Sequence, residues 1–250
     1  MSGLDLGISG RRALVAASSA GLGLATAQAL HAAGCEVVIS GRDADRLAQA
    51  AATMEGCRAI VGDVGDMAGA TALVEAATEQ LGGIDILVTN AGGPPAGNFA
   101  TTPAEAYPEA LSLNLLSVVA MCQAAVPAMR EQRWGRVVAI TSISVRQPIA
   151  HLILSNTARA GVTGFLKTLA LEIAKDGVTV NSVQPGLHAT DRLRQLYGGS
   201  ADAIADGIPA RTVGDPGDFG RITAFLCSEH AKFMTGVALP IDGGAYAGLQ

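Results

Sequence analysis

Ser142, His151, Ser155 and Arg159 are the residues whose types and spacing suggest chemistry. Ser142 closes an apolar run, and the other three follow at intervals of four. If a helix already begins at His151, these three share one face, one turn apart. A serine hydroxyl is a weak acid, and its short side chain leaves room for an ordered water. Arginine keeps its charge and can hold hydroxyls, but it does not release a proton. Histidine, which titrates near neutrality, can act as the acid, directly or through Ser155 or water. Tyr197 and His188 are further candidates, and Ser144 either bonds a substrate or caps its loop.

A second group binds rather than reacts. Ala17-Ser18-Ser19-Ala20-Gly21-Leu22-Gly23 follows an apolar run and opens a helical pattern. Backbone N–H groups and the helix dipole at such a turn favour a pyrophosphate. Small residues there also suit plain helix packing. After the next apolar run the chain reads Ser40-Gly41-Arg42-Asp43, with no carboxylate to accept bonds from a ribose 2′-hydroxyl. Arg42 can face a 2′-phosphate, with Ser18 and Ser19 as added donors, which favours NADP(H) over NAD(H). Alternatively Arg42 is a solvated residue paired with Asp43 or Asp45.

The elements that must position these groups alternate. Strands are expected at 12–17, 36–40, 58–61, 84–89, 136–140, 178–183 and 237–241. Helices are expected at 24–33, 44–54, 67–81, 105–129 and 152–175. Near-continuous apolar strands separated by helices argue for a doubly wound, mostly parallel sheet of about seven strands, covered on both faces. With 250 residues, 49% of them hydrophobic, one sizeable core and one domain spanning 1–250 are expected. The weakly periodic, Gly-containing stretch 187–212 follows the sixth strand and suits a substrate lid.

Net charge is −5 and the basic residues are scattered, which disfavours nucleic acid as a partner. No signal core and no bilayer-length apolar window is expected, so the default reading is cytoplasmic with no membrane partner. Cys35, Cys57, Cys122 and Cys227 are far apart, so they read as small hydrophobes rather than metal ligands or disulfides. No metal site is expected.

From Ala16-Ala17-Ser18-Ser19-Ala20-Gly21-Leu22-Gly23 to Ala160-Gly161, in order and spacing, the chain resembles the short-chain dehydrogenase/reductase family over nearly its whole length. The resemblance reaches to 3-oxoacyl-[acyl-carrier-protein] reductases and implies a Rossmann-like fold. Asp63-Val64 resembles the adenine-contacting pair, Asn90-Ala91-Gly92 the Asn-Asn-Ala-Gly segment, and Pro185-Gly186 with Thr190 the stretch beside the nicotinamide carboxamide. By position Ser142 is the carbonyl-polarising serine and Asn114 the asparagine of a water relay. Where the family places Tyr-x-x-x-Lys thirteen residues after its serine, this chain has Ser155-Asn156-Thr157-Ala158-Arg159. The first glycine of the turn is Ala17. The cofactor site is thus kept and the proton donor and its tuner are changed, with Arg159 left to hold the nicotinamide ribose.

Three functions fit this pattern. One is an NADP(H)-dependent oxidoreductase that reduces a carbonyl or related C=X group of a small molecule through another proton donor. A second is non-redox lyase or isomerase chemistry on the same fold, and a third is a catalytically silent NADP(H)-binding sensor or partner protein. The resemblance also implies a homo-oligomer, a tetramer in most members.

Overall fold

A computed structural model describes residues 4–197 and 204–249. Seven strands, β1 (Arg12–Val15), β2 (Glu36–Gly41), β3 (Arg58–Val61), β4 (Ile86–Thr89), β5 (Gly135–Ile140), β6 (Val178–Pro185) and β7 (Ala238–Ile241), form one sheet in the order β3-β2-β1-β4-β5-β6-β7. Every neighbouring pair is parallel. The sheet is therefore wholly parallel, and chain order reverses between β1 and β4. In such sheets the crevice beyond the strand ends at that reversal is where ligands bind.

Side chains along each central strand alternate between two cores, as the pleat requires. Leu14, Leu87, Val137 and Ala139 point to one face, against α3 (Met67–Leu81), α5 (Ser117–Glu131) and α6 (Ile153–Ile173). Ala13, Val15, Ile86, Val88, Val138 and Ile140 point to the other, against α1 (Gly21–Ala32), α2 (Ala44–Ala51) and α8 (Pro216–Leu226). Helices on both faces explain why β4 and β5 are buried at every position.

The expected helix at 105–129 is in fact three pieces. A short α4 (Ala106–Leu111) runs into a π-helical turn, Ser112–Leu116, and then into α5. Pro127 lies inside α5. The expectation that no segment is long and apolar enough to span a bilayer is corrected here. Ala106–Glu131 meets that length and composition, and half of its most apolar window is buried within the fold, as suits a helix covering a sheet.

Helix α8 was not foreseen. Asp215 caps it by accepting from the Asp218 N–H, and Pro216 occupies its first turn, a legible start signal. Helix α7 (Asp191–Tyr197) lies in the expected lid; positions 198–203 of that stretch fall outside the described residues. Cys35, Cys122 and Cys227 are buried free thiols and Cys57 is half-buried.

The turn after β1 carries strain. Ala17 sits at φ 46°, in the left-handed region, where a Cβ crowds the backbone. Ala17→Gly should stabilise the fold by about 0.5–1 kcal/mol, once glycine's larger unfolded-state entropy is set against the relieved strain. Urea unfolding of the two proteins checks this. Ala17 also packs against the core, so a less stable variant would mean that its methyl outweighs the strain.

Candidate active site

The reversal between β1 and β4 opens a cleft of about 480 Å³ lined by Ala17, Ser19, Arg42, Asp63, Val64 and Gly92, and further out by Pro94, Thr102 and Leu113. Five sequence-predicted cofactor residues, Ser19, Arg42, Asp63, Val64 and Gly92, therefore share one wall. Arg42 is exposed, and its Nη1 lies 3.8 Å from the Asp63 carboxylate. Neither Asp43 nor Asp45 pairs with it. Asp43 instead caps α2, accepting from the Arg46 N–H at 3.0 Å.

The glycine turn is held from behind. The Asn90 side-chain amide donates to the Ala17 carbonyl at 2.9 Å, tying β4 to the turn. A Cβ on Gly23 would stand 2.8 Å from that amide nitrogen and 2.9 Å from the Ala17 carbonyl, so only glycine allows α1 to begin so close to the strands. Leu22 turns its side chain into the core and has only its backbone N–H to offer a phosphate. Ser18 must be corrected. Its hydroxyl is fully buried, donates to the Val15 carbonyl at 2.6 Å and accepts from the Ser40 N–H. It joins β1 to β2 and is no phosphate donor.

Thr190 closes the turn from the lid side, with its methyl 3.7 Å from the place a Gly21 Cβ would take. Pro185 ends β6, and the Gly186 N–H donates to the Ile241 carbonyl at 2.9 Å. These residues frame the crevice but lie outside the lining of the cleft described above.

The predicted reaction centre assembles around Arg159. From α6 its Nε donates to Ser155 Oγ at 3.2 Å, and its Nη1 donates to the carbonyls of Ile140 and Thr141, each at 3.1 Å. The guanidinium thus ties the start of α6 to the end of β5, immediately before Ser142. Burial, followed by the positive charge of Arg192, lowers its pKa to about 10. It is still a cation at neutral pH. Nη1 faces the end of β5 and Nε faces Ser155, so of the fork expected to hold a ribose only Nη2 has no protein partner among the described residues.

Ser142 and Ser155 resemble each other in polarity. Ser142 Oγ accepts from the Ser144 N–H at 3.1 Å, as Ser155 Oγ accepts from Arg159. Each oxygen has one acceptor position filled, and among the described residues neither hydroxyl donates to a protein acceptor. Asn114 sits in the π turn, with its Nδ2 bonded to the Gly92 carbonyl at 2.9 Å and its buried Oδ1 without a partner among the described residues. π turns of this kind recur at functional sites.

His151 does not join the helix face. Helix α6 starts at Ile153 after Leu152, and His151 precedes both, exposed, its carbonyl accepting from the Gly97 N–H at 2.8 Å. The three-residue face His151-Ser155-Arg159 is therefore reduced to Ser155 and Arg159. His188 is a packing residue. It is buried edge-on against Phe219 at 5.1 Å, and burial holds its pKa below the ordinary histidine range despite opposing pulls from the Gly186 carbonyl and Asp215. Arg192 of α7, which carries no sequence signal, donates to the carbonyl of Pro94, a cleft-lining residue, at 3.1 Å.

A glycine turn at the switch point of a doubly wound sheet, with a serine just after β5, is the architecture of dinucleotide-binding α/β proteins. Comparison with known proteins makes this more specific. Residues 16–246 match the family model described as enoyl-(acyl carrier protein) reductase. Nodulation protein G of Azospirillum brasilense is 35% identical over 93% of this chain and 96% of its own. The 3-oxoacyl-[acyl-carrier-protein] reductase of Vibrio cholerae is 32% identical over 96% and 99%. The crystal structure of L-sorbose reductase from Gluconobacter frateurii, complexed with NADPH and L-sorbose, superposes with a TM-score of 0.91 at 32% identity, covering 98% of this chain and all of that one. The chain belongs to the short-chain dehydrogenase/reductase family of oxidoreductases.

Proposed function

We propose that the protein is an NADP(H)-dependent reductase of a small carbonyl or related C=X compound, with proton delivery rewired through Ser155. The observation that carries this reading is the bond from Arg159 Nε to Ser155 Oγ. It fills an acceptor position of the hydroxyl and leaves the proton to be donated to a substrate atom, while the fixed positive charge stabilises the oxygen that gives it up. Ser142, polarised in the same way by the Ser144 N–H, supplies a second donor to the developing charge. Asn114 Oδ1, a buried acceptor without a partner among the described residues, is suited to hold a relay water that refills Ser155.

The residues fit the dinucleotide. The cleft is of suitable size, the helix start at Gly21 presents N–H groups to a pyrophosphate, and Arg42 stands where a 2′-phosphate would meet a cation. Bound NADPH would supply the hydride. His151, exposed on the loop before α6, remains a candidate for exchanging the proton with solvent. An imine asks least of such a weak acid, because it can arrive already protonated. Leu171, Phe233 and Leu249, large and exposed, support a homo-oligomer, with a tetramer expected from the family.

The test is NADPH oxidation against ketone, imine, enone and 3-oxoacyl thioester panels. Ser142→Ala should lower kcat by about 10²-fold, the scale of losing one preorganised donor. Tight NADPH binding without oxidation on any panel would turn the assignment toward sensing or non-redox chemistry.

A further inference from the structure

Arg192 is seated rather than dangling. A Cβ on Gly93 would lie 2.9 Å from its Nη2, 3.3 Å from Cζ and 3.4 Å from Nε, so the guanidinium packs closely beside the glycine. Its one described hydrogen bond, to the Pro94 carbonyl, uses one of five N–H donors. Among the described residues no carboxylate pairs with Arg192 or with Arg159, as none does with Arg46, Arg133 or Arg146, whereas the other nine arginines each have one. The charge of Arg192 is near enough to that of Arg159 to disfavour it, second to burial. Gly93 and Pro94, the two residues the guanidinium touches, both line the cleft, which puts it at the cleft's edge. Arg192 is exposed, so a ligand can reach it, and its planar fork suits two oxygens of one anionic group.

We propose that Arg192, seated on Gly93, is an anion clamp that takes up a phosphate or carboxylate group of a ligand entering the cleft. The phosphate would come from the dinucleotide and the carboxylate from the substrate, and binding measurements separate the two. The proposal rests on the cleft accepting a dinucleotide.

Arg192→Gln removes the charge and keeps an amide able to bond the Pro94 carbonyl. NADPH is titrated into wild type and variant by cofactor fluorescence. NADPH-loaded protein is then titrated with succinate and with uncharged succinamide by calorimetry. A rise of about tenfold or more in the NADPH Kd of the variant assigns the clamp to a dinucleotide phosphate. Loss of a wild-type preference for succinate over succinamide, with NADPH binding kept, assigns it to a substrate carboxylate. Arg192→Lys should recover part of either effect. Unchanged binding in both titrations overturns the clamp and leaves the cofactor reading standing. Failure of the wild type itself to bind NADPH overturns that reading, and the clamp with it.

Discussion

Ser155→Tyr combined with Arg159→Lys is expected to raise kcat by about 10²–10⁴-fold on any ketone the wild type reduces, the usual range for a positioned general acid. A phenol is a far stronger acid than an aliphatic hydroxyl, and a neighbouring ammonium brings its pKa toward neutrality. Arg159 cannot do this as a lysine would, because its Nε and Nη1 are bonded to Ser155 Oγ and to the carbonyls of Ile140 and Thr141. Ser155→Tyr alone should give only part of the gain, since the planar fork is held for a short side chain. The pH profile separates outcomes that a rate alone would merge. In the double variant kcat should acquire an alkaline limb from the phenol, which a serine cannot produce. An unchanged rate and profile would mean that protons do not reach the substrate through position 155, and the exposed His151 would become the next residue to replace.

Arg42→Ala should raise the Kd for NADPH by about 10- to 100-fold and leave that for NADH nearly unchanged, the scale of one or two charge-assisted hydrogen bonds. Without dinucleotide, Arg42 is exposed and only loosely paired with Asp63 at 3.8 Å, so removing it costs the fold little. Fluorescence titration of both cofactors, repeated at two ionic strengths, gives the answer. The wild-type preference for NADPH should shrink with added salt, and that sensitivity should disappear in the variant. Equal weakening for both cofactors would mean that Arg42 supports the adenine side of the cleft rather than reading the 2′-phosphate.

The seven strands and most of the helices between the first six were legible because each central strand is buried on both faces and so reads as an apolar run. The π turn was not legible. Ser112–Leu116 differs from an α-helix by its hydrogen-bond register, which leaves the polarity pattern almost intact. The helix start at 151–153 was misplaced for a related reason, since a loop residue bonded through its backbone, as His151 is to Gly97, has no side-chain signature. Ser18 misled through its type. A small hydroxyl beside a glycine turn suits a phosphate and suits a strand-to-strand bond equally well, and only burial separates the two. Arg192 is not legible because the room it packs into is left by the absent side chain of Gly93, about a hundred positions away.

The π turn also divides one long helix into two registers. An α-helix advances about 100° per residue, and a π turn accommodates the equivalent of one extra residue. Ala106, Glu109 and Ala110 before it, with Leu113 inside it, line the cleft, while Val118, Met121, Cys122 and Ala125 after it face the core. The wall of the cleft and the packing of the sheet therefore keep separate phases along one continuous rod. A change in the phase of the first need not disturb the second, so the face that α4 turns toward a substrate can be altered while the sheet beneath it keeps its packing.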